Sequence, residues 1–214
     1  LISKKNFKKK EIITYISEYR NYDENKKVNF YNEGEVLWGD TTISDKKLVK
    51  LIYRLCKKKK IKFCILGRYN DARKIKEIEF YDKIIGKNNF KYIPKKNYLS
   101  SYYFLRKSKT IISMSSSIGY EIFSRGNKII FFTKKINKLK KVSKYFKFGW
   151  PYIKQKKGFF FSDEINNIEM SRLIKNVFNC NQKKWLKKTK RIRDQLIIYD
   201  FKNLLLKKEI SKLK

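Results

Sequence analysis

From residue 35 onward, short apolar runs alternate with longer stretches whose apolar positions recur every three or four residues. The runs Glu35 to Trp38, Ile61 to Leu66, Phe90 to Ile93, Thr110 to Met114 and Lys128 to Phe132 are of the first kind, and three are halted by Gly39, Gly67 and Pro94. Short runs that are apolar on both sides predict strands buried on two faces. Between them the spacing predicts helices. Ser44 caps one whose Leu48, Leu51, Ile52 and Leu55 share a face. Others fall over Asp71 to Ile84, Tyr98 to Lys107, Ser115 to Phe123 and about Asp163 to Phe178. A last one, about Asn181 to Phe201, carries Trp185, Thr189, Ile192 and Leu196 on one side. Residues 1–30 mix charge with Ile12, Ile13, Tyr15 and Ile16, and read as a short helix or the remnant of a preceding domain.

Strands alternating with helices predict an α/β domain: a Rossmann-like, doubly wound, mainly parallel sheet flanked by helices and joined by right-handed crossovers. It is expected over residues 31–180, with 1–30 a remnant or linker and 181–214 a helical segment packing across the sheet. Ligands of such sheets bind beyond the carboxyl ends of the strands. The search therefore narrows to Gly39-Asp40-Thr41, Gly67-Arg68-Tyr69-Asn70, Tyr92-Ile93-Pro94 and Ser115-Ser116-Ser117.

The serine cluster carries the most chemistry. A buried strand runs straight into a helix whose first turn holds Ser115, Ser116 and Ser117, with Gly119 two residues on. Free backbone N–H groups, the helix dipole and small hydroxyls together make an anion site. Gly119 lets a ligand or a neighbouring strand approach closely. Plain capping by serine is the competing explanation. Glu121 and Arg125, four apart in the favourable order, are either a surface pair or a carboxylate placed for a ribose diol. Arg68, just after Gly67, can fork onto a phosphate or a sugar carboxylate.

Composition removes several functions. Histidine is absent, which excludes Ser-His-Asp and Cys-His catalysis, a His general base and histidine-ligated zinc. Cys56, Cys64 and Cys180 are too far apart for a CxxC site and too few for a disulfide scaffold, so unpaired thiols in the cytoplasm are expected. A hydrophobic fraction of 42% excludes a disordered polycation. The net charge is +36, yet 46 of the 55 basic residues are lysine and Ala72 is the one alanine. Lys, Ile, Asn, Tyr and Phe have AT-rich codons, so a biased genome accounts for much of the lysine. The field that remains favours nucleotides, nucleic acid or an anionic membrane surface. No apolar run nears the roughly 20 residues of a membrane span. A signal-peptide core is missing, and the opening residue Leu1 points to an incomplete gene product. The second functional reading is a basic nucleic-acid-binding protein, with Lys91-Tyr92 and Tyr145-Phe146-Lys147-Phe148 interleaving cations and stacking rings. Against it, the cations are spread along the chain and no RRM, KH, zinc-finger or helix-turn-helix pattern occurs.

The run Ser116-Ser117-Ile118-Gly119-Tyr120-Glu121, followed by Arg125-Gly126-Asn127-Lys128, resembles the S-T-L-G-Y-E…R-G-K-K signature of bacterial surface carbohydrate biosynthesis proteins. These are glycosyltransferase-like proteins of the GT-B architecture. Ile65-Leu66-Gly67-Arg68 resembles that family's I-L-G-R. Phe148-Gly149-Trp150-Pro151 with Gly158-Phe159-Phe160-Phe161 resembles its F-G-W-P…G-P-F-W loop. The ordered set covers roughly residues 35–200; Ser117 replaces the usual threonine and Phe159 a common proline. The resemblance implies the C-terminal, donor-binding half of a GT-B enzyme that takes a nucleotide sugar for capsule or lipopolysaccharide assembly. By it, Ser116 and Ser117 would hold the donor phosphate; the residue chemistry itself places Ser115 and Gly119 beside them, with Glu121, Arg68 and Gly67 toward the nucleotide or ribose. A glycan or lipid-linked acceptor and the catalytic base would belong to a missing N-terminal GT-B domain. No metal or other cofactor is implied, nor any specific nucleic acid. The cysteine usage places the chain in the cytoplasm, where a lysine-rich face could also keep it at the anionic inner membrane.

Overall fold

In the computed structural model, which describes residues 10–29, 34–97, 99–133, 136, 147–149, 153–196, 204, 210 and 211, the main sheet begins earlier than the sequence pattern suggests. Strand β1 (Lys10–Ile16) is paired in parallel on both sides, with β4 (Lys62–Leu66) and β6 (Ser108–Ser113). The segment expected as a helix or remnant is thus a central strand, and the boundary placed at residue 30 falls inside the folded unit. Its residues Ile12 to Ile16 are all buried. A strand covered on both faces shows no period to distinguish it from a short helix.

The remaining strands are β5 (Lys91–Ile93), β7 (Ile129–Phe132) and β8 (Phe161–Ser162), and the order across the sheet is β5-β4-β1-β6-β7-β8. Every pairing is parallel. Counted along the chain, this is the third, second, first, fourth, fifth and sixth strand, which is the Rossmann order. The chain reverses its winding between β1 and β6. Right-handed crossovers put α1 (Trp38–Lys58), α2 (Arg73–Ile85) and α5 (Asn167–Phe178) on one face, where α1 touches both others. On the opposite face lie α3 (Ser100–Lys107), α4 (Ser117–Ser124) and α6 (Gln182–Leu196), with α4 touching both others.

Two further expectations are corrected. The run at residue 35 does not join the main sheet: β3 (Glu35–Leu37) pairs antiparallel with β2 (Lys27–Asn29) in a separate two-stranded sheet. Only Val36 of β3 is buried, too little apolar surface for a place in the centre. Helix α1 starts at Trp38 rather than Ser44. The Thr41 and Thr42 hydroxyls donate back to the carbonyls of Trp38 and Gly39 at 2.8 Å, which holds both threonines in the first turn. Ser44 is buried inside the helix. The end of the last helix, expected near Phe201, lies outside the described residues.

The core on the β6–β8 side is aromatic. Phe123, Phe131, Phe148, Phe160 and Phe161 pack with ring centroids 4.3 to 6.4 Å apart. Trp185 closes it from α6, fully buried, and its indole N–H donates to the Gly126 carbonyl at 3.0 Å. All three cysteines are free and buried, and burial pushes the Cys56 thiol up to about 12 and that of Cys64 to about 11. Thiols held protonated this way are poor nucleophiles.

Candidate functional site

At the switch point, beyond the carboxyl ends of β1, β4 and β6, lies an open cavity of about 470 Å³. Gly67, Arg68, Ser115, Ser116 and Ser117 all line it. Three charged residues that sequence reasoning missed join them: Glu18, Arg20 and Lys95. The serine turn and the Gly67-Arg68 turn, far apart in sequence, meet there because β4 and β6 flank β1.

The serine turn makes its contact with a carboxylate of the same chain. Ser116 is the N-cap of α4, in an extended conformation, but its side chain makes no capping hydrogen bond. Capping therefore does not account for the cluster. Ser115 donates its backbone N–H at 3.0 Å and its hydroxyl at 2.9 Å to the two carboxylate oxygens of Glu18. Around it, Arg20, Arg68 and Lys95 are exposed, and none forms an ion pair among the described residues. One carboxylate beneath three free cations leaves the cavity positive.

Glu77 on α2 fixes the second turn. It is fully buried, and its carboxylate accepts the backbone N–H of Arg68 at 3.1 and 3.2 Å and that of Tyr69 at 3.4 Å. It also accepts the Tyr92 hydroxyl at 2.6 Å and the Ser17 hydroxyl. A buried carboxylate is tolerated when this many donors face it. Burial, then Glu77, push the Tyr92 phenol well above its ordinary range, so it remains a donor. The network ties the ends of β1, β4 and β5 together and sets where Arg68 emerges.

Gly119 and Glu121 do not line the cavity. A Cβ on Gly119 would sit 2.7 Å from the Ser113 hydroxyl oxygen, so this glycine serves the packing of α4 on β6. A Cβ on Gly67 would overlap the Tyr92 ring, which makes glycine necessary there on packing grounds. The Glu121 carboxylate accepts the hydroxyl of Tyr102, whose ring does line the cavity and carries the Arg125 guanidinium 4.8 Å from its centroid. Among the aromatics considered for base stacking, Phe148 is buried against Phe161 and Tyr92 is held by Glu77. Tyr145, Phe146, Trp150 and Pro151 lie outside the described residues. Among the described residues, no three His, Cys, Asp or Glu side chains gather as a metal site, and no helix is long and apolar enough to cross a membrane.

Rossmann strand order with a cavity at the switch point defines a Rossmann-like α/β protein. More particularly, the chain belongs to the family described as "putative O-antigen biosynthesis protein", whose sequence model matches residues 2–214. No curated protein matches the chain. Among solved structures it is similar to the UDP-GlcNAc 2-epimerase of Neisseria meningitidis bound to UDP-GlcNAc, at 19% identity and TM-score 0.41, over 88% of this chain and 44% of that one. The Methanocaldococcus jannaschii UDP-GlcNAc 2-epimerase shares 13% identity at TM-score 0.47, over 84% and 44%. An S. aureus TarM variant in complex with fondaparinux, alpha-GlcNAc-glycerol and UDP shares 18% at TM-score 0.49, over 97% and 36%. The chain thus spans less than half the length of these structures.

Proposed function

We propose that the chain is the donor-binding part of a glycosyltransferase in O-antigen assembly, with a nucleotide sugar as donor. The observation that carries this reading is the Ser115 turn, which already holds an oxyanion, the Glu18 carboxylate, at the switch point of a Rossmann-ordered sheet. In this reading the donor diphosphate takes the N-terminal turn of α4, with the Ser116 and Ser117 hydroxyls donating to it. Arg68 forks onto the same group, while Arg20 and Lys95 offset the charge that grows on the leaving diphosphate as the sugar–oxygen bond breaks. Glu121, which does not line the cavity, is assigned a positioning role at the ribose end, acting through the Tyr102 hydroxyl that it accepts. The acceptor and catalytic base are assigned to a separate unit facing the cavity. Exposed Tyr22, Leu37, Ile43 and Ile75 stand around the same end of the sheet, and such a unit would cover them.

Calorimetric titration with UDP-, GDP- and CMP-linked sugars tests the proposal. At least one is expected to bind, and the Ser116→Ala/Ser117→Ala double variant should lose about a hundredfold or more in affinity, because each hydroxyl bond to a charged oxygen contributes roughly 1.5–3 kcal/mol. Its melting temperature should hardly move, since the Ser116 side chain caps nothing. Unchanged affinity alongside a lower melting temperature would return the serines to a structural role.

A further inference from the structure

A second groove lies on the α1–α5 side of the sheet and extends to its other end. Its volume is about 880 Å³, within the range of roughly 300–1,000 Å³ that holds organic ligands. Leu51, Leu55, Met170, Ile174 and Phe178 give it apolar walls, and Glu11 and Ile61, at the starts of β1 and β4, mark its end. Along its rim stand Arg54, Lys58, Lys59 and Lys175, all exposed. None of the four forms an ion pair among the described residues. The lone carboxylate of the lining, Glu11, is already taken by Lys109 at 2.6 Å, and the Lys109 ammonium lies 4.0 Å from the Phe178 ring centroid.

Lysines near helix C-termini complement the macrodipole, and Lys58 and Lys175 have that role in α1 and α5. Complementing a dipole calls for no apolar groove between the helices, and Arg54 lies outside the last turn of α1. A free phosphate or a nucleic-acid backbone would engage the rim and leave the apolar walls in water. A molecule with an anionic head and a hydrocarbon tail satisfies both. We propose that this groove seats a phosphate-bearing lipid and docks the α1–α5 face on an anionic membrane surface. The carboxyl ends of the strands, about 20 Å away along the sheet, then stay open to donor. The inference does not rest on the glycosyltransferase reading.

Because the whole chain is cationic, the test compares matched charge changes on the two faces. Sedimentation with phosphatidylcholine vesicles, with and without phosphatidylglycerol, reads the binding. The groove variant Arg54→Glu/Lys58→Glu/Lys175→Glu should lose about a hundredfold in affinity for the anionic vesicles, each basic residue near the surface being worth about fivefold. The control Lys183→Glu/Lys184→Glu/Lys187→Glu, on α6 across the sheet, should lose less than about a tenth of that. Leu55→Gln keeps every charge and should abolish the binding that survives high salt. Should the triple reversal unfold the protein, the neutral pair Lys58→Gln/Lys175→Gln decides in its place. Equal losses from the two triples, or full competition by inorganic phosphate, would overturn the proposal. Donor affinity measured on the same variants should stay at the wild-type value, which keeps this result separate from the donor site.

Discussion

At the scale of single residues, Glu18 is the least expected member of the cavity. Its carboxylate occupies the N–H and hydroxyl of Ser115, the donors an incoming phosphate oxygen would use. In the proposed donor mode a diphosphate would displace it or lie beside it, and two like charges about 4 Å apart near a protein surface repel by up to about 4 kcal/mol. Glu18→Gln should therefore raise donor affinity, by about tenfold at low salt, with the gain shrinking as salt screens the repulsion. Calorimetry at two ionic strengths measures this, and a fall in affinity would recast Glu18 as a ligand for the donor's hydroxyls. Arg68 and the serines were legible because they adjoin a turn glycine or a strand end. Glu18 was not, since nothing local says that the end of β1 meets a serine turn 97 residues later. Glu77 left one faint sign, a carboxylate on the same helical face as the buried Tyr81 and Ile85.

Among the elements, α5 shows how a helix end is fastened. Asn166 caps it, accepting the Glu169 N–H at 2.8 Å, and the Glu169 carboxylate is held by Arg172 at 2.7 and 3.1 Å. Arg172 also donates to the Gly158 carbonyl at 2.8 Å, which ties the helix to the chain leading into β8. The Arg172 hydrogen bond lowers the Glu169 carboxyl from its ordinary 4.5 to about 2. A carboxyl with a lowered folded-state value stabilises the fold fully above its unfolded value and stops doing so as pH falls through the folded one. Glu169→Gln should therefore melt below the wild type at neutral pH, with the gap closing between about 4.5 and 2. Thermal melts across that window check it; a constant gap would mean that the charge contributes nothing. The sequence pattern placed β4, α2, α3, β6, α4 and β7 within a few residues, because turn glycines, Pro94 and helical spacing all agree there. It missed β8, which is two residues long and lies in a run of phenylalanines without alternation. Strand β1 escaped because only pairing partners distant in sequence define it, and β2 because its three residues carry a single apolar side chain, Val28.

On the scale of the whole molecule, the charge of +36 and the cavity at the switch point act over different ranges. Cations stand on both faces of the sheet, with Arg54 and Lys58 on α1, Lys183 and Lys187 on α6, and Arg68 and Lys95 between them at the cavity. A field this diffuse draws any polyanion. Of the rings weighed for base stacking, Phe148 is committed to packing and Tyr92 to Glu77. Oligonucleotides should bind with no sequence preference and lose orders of magnitude in affinity between about 50 and 200 mM salt, as counterion release requires. Nucleotide-sugar binding should outlast that range, because it neutralises only one or two phosphates and depends on donors fixed by the Ser115 turn and the Glu77 network. Filter binding of unrelated oligonucleotides, set beside donor calorimetry in the same salt series, separates the two behaviours. Tight, sequence-selective oligonucleotide binding that survives high salt would mean that the cavity's cations serve a nucleic acid instead.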